Sequence, residues 1–106
     1  MFKKVCIIGC GLIGSSLARA IKNNNLSTII VSSNRSDAVN KKVIELKIVD
    51  DSSSDTKKMA EGSDLIIIAT PLSSYDNVIS KIKDCLKSGT ILTDVGSVKE
   101  NVMSLV

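Results

Sequence analysis

The chain has 106 residues, 14 lysines and arginines against 11 acids, a formal net charge of +3 and 43% hydrophobic residues. That fits one globular domain near the low end for a complete α/β sheet, and it speaks against disorder and against a membrane protein. The basic excess is scattered, and one Tyr, one Phe and no Trp give no stacking platform for bases, so nucleic-acid binding is not expected.

The chain opens on Lys3-Lys4-Val5-Cys6-Ile7-Ile8, a short β-rich run leading straight into Gly9-Cys10-Gly11-Leu12-Ile13-Gly14. Ile13, Leu17 and Ile21 follow at helical spacing, so a strand, a G-x-G-x-x-G turn and a helix start stand in that order. In the dinucleotide-binding reading Gly9 permits the tight turn, Gly11 lets backbone approach a pyrophosphate, and Gly14 lets the helix pack close to the strands. The helix start turns its unpaired N–H groups and positive dipole end toward the phosphates, and Ser15 offers a further hydroxyl donor. The alternative is a strand–helix turn that binds nothing.

The first helix ends at Lys22-Asn23-Asn24-Asn25, and Thr28-Ile29-Ile30-Val31-Ser32 reads as a second strand, completing a βαβ unit. Ser36 caps a helix over roughly Asp37 to Lys47, with Val39, Val43 and Leu46 on its buried face. Ile48-Val49 reads as a brief third strand, Asp50 to Asp55 as a polar loop, and Thr56 to Glu61 as a short helix stopped by Gly62.

Asp64-Leu65-Ile66-Ile67-Ile68-Ala69 is a continuous apolar run, the mark of a parallel strand with both faces covered. Thr70-Pro71 ends it, and Ser73 caps a helix whose stripe of Tyr75, Val78, Ile79, Ile82, Cys85 and Leu86 runs to Gly89. Thr90 to Val95 is the next strand, Gly96 to Lys99 a turn, and a helix begins near Val98. That helix is still apolar on one face, through Val102 and Leu105, where the sequence stops at Val106. The alternation predicts an α/β fold: a Rossmann-type doubly wound parallel sheet, truncated before its last strand or strands. The strand at Thr90 to Val95 then lacks an outer neighbour. Ligands in such sheets lie beyond the carboxyl ends of the strands. The loops at Gly9 to Gly14, Ser32 to Arg35, Thr70-Pro71 and Asp94 to Ser97 are therefore expected to line one crevice.

Compartment and metal chemistry follow from smaller signals. The longest apolar run, Leu65 to Ala69, is far too short to span a bilayer. Met1-Phe2-Lys3-Lys4 is not followed by an uninterrupted apolar stretch, so no leader is read and a cytoplasmic location is expected. Cys6, Cys10 and Cys85 have neither C-x-x-C spacing nor a histidine beside them, so no metal site is expected. The chain has no histidine at all, the usual general base for oxidation of an alcohol.

NAD-binding units carry an acid about 20 residues past the glycines, on the ribose 2′-hydroxyl. Here the second strand ends in Ser32-Ser33-Asn34-Arg35, with no acid. Hydroxyls and an arginine suit a 2′-phosphate, so NADP is expected, with NAD as the alternative. Ser33 and Arg35 would read the phosphate; in the alternative, Arg35 is a solvated loop residue and Asp37 serves the ribose.

Three stretches together resemble the nucleotide-binding domain of the prephenate/arogenate (cyclohexadienyl) dehydrogenase family. They are Ile7 to Ala18, Asp64 to Pro71, and Thr93-Asp94-Val95-Gly96-Ser97-Val98-Lys99. The first two recur among many dinucleotide-binding enzymes, and the third is the more specific.

The resemblance implies an NADP-dependent oxidative decarboxylation of prephenate or arogenate in tyrosine biosynthesis. In that family a histidine takes the proton of the ring hydroxyl while hydride passes to the nicotinamide. Ser97 corresponds to the serine that contacts this histidine and the substrate hydroxyl, while Thr70 and Pro71 pass beside the nicotinamide ribose. Gly9, Gly11, Leu12, Ile13, Gly14, Ser33, Asn34 and Arg35 complete the cofactor set. Ser97 also reads as a helix cap with Glu100 three residues on. The family's histidine and its helical dimerisation and substrate domain come after the stretch matched here. Residues 1–106 are therefore expected to be the NAD(P)-binding part of a homodimeric enzyme, inactive by themselves. Two alternatives are another NADP-linked enzyme, such as a pyrroline-carboxylate reductase or hydroxyacid dehydrogenase, and a non-catalytic NADP(H)-binding module.

Overall fold

The computed structural model describes residues 2–9, 11–70 and 74–94, with the side chains of Leu12 and Ile13 outside that description. Five strands, β1 (Phe2–Ile8), β2 (Ser27–Ser33), β3 (Asp51–Ser53), β4 (Leu65–Ile68) and β5 (Ile91–Asp94), form one sheet in the order β3-β2-β1-β4-β5. All four pairings are parallel; β1 lies at the centre, with Cys6 opposite Val31 on one side and Ile66 on the other. This is the doubly wound Rossmann-type sheet expected from the sequence.

The alternation of side chains along the strands sorts the core into two layers. Val5, Ile7, Ile30 and Ile67 face α1 (Leu12–Asn23) and α2 (Asp37–Glu45), meeting Ala18, Ile21 and Val43. Cys6, Ile8, Val31, Ile66 and Ile68 face α3 (Thr56–Ala60) and α4 (Tyr75–Ile82), meeting Met59, Ala60, Val78 and Ile82. With both faces covered, every residue from Val5 to Ile8 is buried, which is why these strands read as unbroken apolar runs. Each fully buried Ile or Val contributes roughly 1.5–3 kcal/mol relative to exposure.

The structure corrects three readings of the middle of the chain. Ile48 and Val49 are buried in the connection after α2 rather than forming the third strand, and Asp51–Ser53, read as polar loop, is β3. Its ladder to β2 is made by backbone, Val31 standing opposite Asp51 and Ser33 opposite Ser53, so apolar side chains are not needed at this edge. On α2 only Val43 of the expected trio is buried; Val39 and Leu46 are 38% and 53% exposed, and Asn40 faces inward instead.

The helix of residues 75–82 ends earlier than its stripe predicts and continues as a 3-10 turn over Lys83–Cys85. Within the stripe Ile79 is 38% exposed. Cys6 is buried and Cys85 half-buried. Ser73, the turn at residues 96–99 and the helix after it lie outside the described residues. Among the described residues, no helix is long and apolar enough to cross a membrane and no cluster suited to a metal ion occurs.

Candidate functional site

Parallel strands all deliver their carboxyl ends to one edge of the sheet, and at this edge the strand order reverses between β1 and β4. Gly9 leaves β1 with φ +85°, a left-handed conformation that a side chain disfavours. Its N–H donates to the carbonyl of Ser33 over 2.7 Å, and Ala69 N–H donates to the carbonyl of Ile8 over 2.8 Å. The ends of β1, β2 and β4 are thus tied together where they turn.

Gly11 caps α1 in an extended conformation without any side-chain hydrogen bond. The caps of α2 and α3 differ: Ser36 Oγ accepts from Val39 N–H at the start of α2, and Asp55 Oδ1 accepts from Lys58 N–H at the start of α3, whereas Ser74 at the start of α4 also makes no side-chain cap bond. No cap side chain covers the start of α1, where the positive end of the helix dipole lies. A Cβ on Gly11 would meet nothing within 4 Å, so no packing among the described residues demands glycine there.

A crevice of about 280 Å³ lies along this edge. Gly9, Ser33, Asn34, Arg35 and Thr70, five of the residues singled out from sequence, line it together. Ser54, Thr56, Ser74, Asn77 and Lys81 complete its polar wall, so it holds two cationic side chains, Arg35 and Lys81, and no carboxylate among the described residues. Ser33 is 3% exposed and its hydroxyl shares a 3.0 Å hydrogen bond with Thr56 Oγ1. Asn34 is 9% exposed, and its amide is held by Asn40 at 2.9 Å. Arg35 is exposed. Thr70 Oγ1 is buried without a hydrogen-bond partner among the described residues, an oxygen placed to meet a polar group of a ligand.

Of the fourth loop only Asp94 is among the described residues, and it does not line this crevice. Asp94 borders a separate depression beside Tyr75, Ile79 and Leu92, where burial and the Asp94 charge push the Tyr75 hydroxyl above its ordinary pKa. Pro71 and Ser97 lie outside the described residues, as do the side chains of Leu12 and Ile13. Conversely, Thr56, Ser74, Asn77 and Lys81 were not singled out from sequence. Ser74, the N-cap of α4, and Asn77 and Lys81 within it recur at i, i+3 and i+7, a polar stripe beside the apolar one that was legible once the second face of that helix was considered.

Known proteins are similar over nearly the whole chain. The family model for the nucleotide-binding domain of prephenate dehydrogenase matches residues 17–106. A prephenate dehydrogenase of Lactococcus lactis is 36% identical over 104 residues, covering 97% of this chain and 29% of the relative. Among crystal structures, Synechocystis arogenate dehydrogenase superposes with a TM-score of 0.78 at 25% identity, over 86% of this chain and 32% of that one. Prephenate dehydrogenase from A. aeolicus, in complex with hydroxyphenyl propionate and NAD+, gives a TM-score of 0.81 at 18% identity, over 89% of this chain and 33% of that one. The last likeness is one of fold. The chain spans about a third or less of the length of each of these proteins. With the family model covering residues 17–106 of a sheet of the right topology, the chain belongs to the prephenate dehydrogenase nucleotide-binding domain family.

Proposed function

We propose that these residues form the dinucleotide-binding portion of a prephenate/arogenate dehydrogenase, serving an NADP-dependent oxidative decarboxylation in tyrosine biosynthesis. The observation that carries the cofactor assignment is the crevice wall, where Arg35 and Lys81 stand among hydroxyl groups with no carboxylate among the described residues. A ribose 2′-phosphate is a dianion that wants cations and O–H or N–H donors, whereas a 2′-hydroxyl is read by an acid. NAD+ is the cofactor in the A. aeolicus complex, and Asp37 at the start of α2 is the residue through which an NAD reading of this chain would act.

The residues fit a dinucleotide on three counts: the side-chain-free cap of α1 at Gly11 suits a pyrophosphate, Thr70 Oγ1 supplies a buried oxygen without a partner among the described residues, and the crevice wall is cationic. A bound nicotinamide supplies the hydride acceptor. The chain's own work is to hold the phosphates at Gly9 to Gly14, to seat the adenosine half against Arg35 and Lys81, and to keep the nicotinamide ribose near Thr70 and Pro71. Fixing one reactant in this way removes much of the entropic part of the barrier. Ser97 would contact the substrate hydroxyl and the general base. The base itself comes from elsewhere in the whole protein, since residues 1–106 contain no histidine.

In the whole protein a helical domain would supply most of the substrate site and the contact of a homodimer, working in the cytoplasm. The relatives' greater length supports that arrangement. Titration of the chain with NADPH and with NADH tests the assignment: tighter binding of NADPH supports it, and tighter binding of NADH assigns the ribose to Asp37. The chain alone is expected to bind dinucleotide without oxidising prephenate or arogenate, and turnover by it would refute that division of labour.

A further inference from the structure

The loop that carries Arg35 is held from behind by a buried amide pair. Asn34 directly follows β2 and Asn40 lies in the first turns of α2, and the two residues are 9% and 5% exposed. Asn34 Nδ2 donates to Asn40 Oδ1 over 2.9 Å, while Asn40 Nδ2 donates to the main-chain carbonyl of Asn34 over 3.0 Å. The same Asn40 Oδ1 accepts from Ser52 Oγ of β3 over 2.5 Å, and Ser52 Oγ shares a 2.7 Å bond with Ser32 Oγ of β2. One amide thus grips both the side chain and the backbone of Asn34 and anchors them to two strands and a helix.

A polar group at this position of α2 is costly for the core unless it is satisfied, and an apolar residue would have completed the stripe of Val43. The network's geometry falls at the joint between Ser33 and Arg35, and Asn40 itself does not line the crevice. From this placement we infer that Asn40 is a positioning residue for cofactor discrimination. Through Asn34 it fixes the direction in which Arg35 leaves β2, and thereby sets the preference for a 2′-phosphate over a 2′-hydroxyl. This rests on the NADP reading given above. A guanidinium recognises phosphate through a directional fork, so a loop free to swing loses selectivity even with Arg35 intact.

The test reads the ratio of Kd for NADH to Kd for NADPH, together with Tm, in wild type, Asn40→Ala, Asn34→Ala, the double variant, Val43→Ala and Arg35→Ala. Asn40→Ala and Asn34→Ala each break the same Nδ2–Oδ1 bond. Each is expected to lower the ratio on the order of tenfold, and the double variant to add little, because coupled partners are not additive. Val43→Ala, one turn further along α2 and buried, lowers Tm and leaves the ratio in place. A folded Asn40→Ala with the wild-type ratio overturns the inference, and so does an equal fall in Val43→Ala. If Asn40→Ala does not fold, Asn34→Ala decides the question from the other end of the bond. Wild type without an NADPH preference, or an Arg35→Ala that keeps it, defeats the underlying NADP reading; a preference that needs Arg35 yet survives Asn40→Ala defeats the positioning role alone.

Discussion

A Cβ on Gly14 would stand 2.9 Å from the carbonyl oxygen of Gly9 and 3.3 Å from Ile7 Cγ2, so the first turn of α1 rides directly on the turn that leaves β1. The closer of these contacts is backbone and cannot swing aside. Gly14→Ala is therefore expected to destabilise the domain by about 1–3 kcal/mol, read as a lower midpoint in denaturant unfolding. Gly11→Ala should leave stability nearly unchanged, since its Cβ would meet nothing within 4 Å. It should weaken NADPH binding roughly tenfold or more, a loss of about 1.4 kcal/mol, because the methyl enters the space a pyrophosphate would take. Equal effects of the two substitutions on binding and stability would contradict this separation of roles.

The contrast between these glycines shows what the sequence could and could not convey. The glycine spacing, the apolar runs of β1 and β4 and their order were enough to place the turn at the switch point of a doubly wound sheet, because burial of both faces writes itself directly into composition. The edge strand Asp51–Ser53 carries no such signature: it is held by backbone pairing to β2 and by Ser52 in a polar network. Val39 and Leu46 satisfy helical periodicity yet stay exposed, while Asn40 is buried because its partners come from β2 and β3. Pairings between residues 6 to 20 positions apart leave no periodic trace. The cationic wall was half legible: Arg35 stood in an expected place, whereas Lys81 required knowing which side of α4 faces the crevice.

Arg35→Ala is expected to reduce NADPH affinity by about tenfold or more while leaving NADH nearly unaffected, since a charged hydrogen bond to phosphate is worth roughly 1.5–3 kcal/mol. Lys81→Met should act in the same direction but less strongly, its ammonium being a flexible point charge rather than a fork. Both side chains are exposed, so added salt should weaken NADPH binding more than NADH binding. Isothermal titration at two ionic strengths provides the check, and identical salt slopes for the two cofactors would rule out a role for these cations at the 2′-position.

Cys6 sits at the middle of the sheet with no exposed surface, and burial pushes its thiol up to about 12, against a smaller opposing influence of Lys4. The thiolate is the reactive form, so native protein at pH 8 should leave Cys6 unmodified by a maleimide or iodoacetamide. Half-buried Cys85 should be labelled faster. Peptide mapping by mass spectrometry after a short exposure, with and without denaturant, distinguishes the sites. Labelling of Cys6 at the rate of a free thiol under native conditions would mean that the central strand opens far more readily than its packing implies.

At the opposite edge of the sheet from the crevice, Asp64 accepts hydrogen bonds from the backbone N–H groups of Lys3 at 2.7 Å and Lys4 at 3.2 Å and pairs with the Lys87 ammonium. The Lys87 contact, followed by the two backbone donors, lowers its pKa from 3.8 to about 2. A carboxylate held below its unfolded value stabilises the folded state above the unfolded pKa, and that contribution is lost as pH falls through the folded one. The Asp64 contribution should accordingly be complete by neutral pH and disappear as the pH drops from about 4 to about 2, the interval between its two values. Asp64→Asn removes the titrating group while keeping the size of the side chain. Wild type should therefore be the more stable protein at pH 7, with the difference shrinking across that window in parallel urea unfolding series. A stability difference that stays constant from pH 7 to pH 2 would show that the bonds to Lys3, Lys4 and Lys87 do not depend on the charge of Asp64.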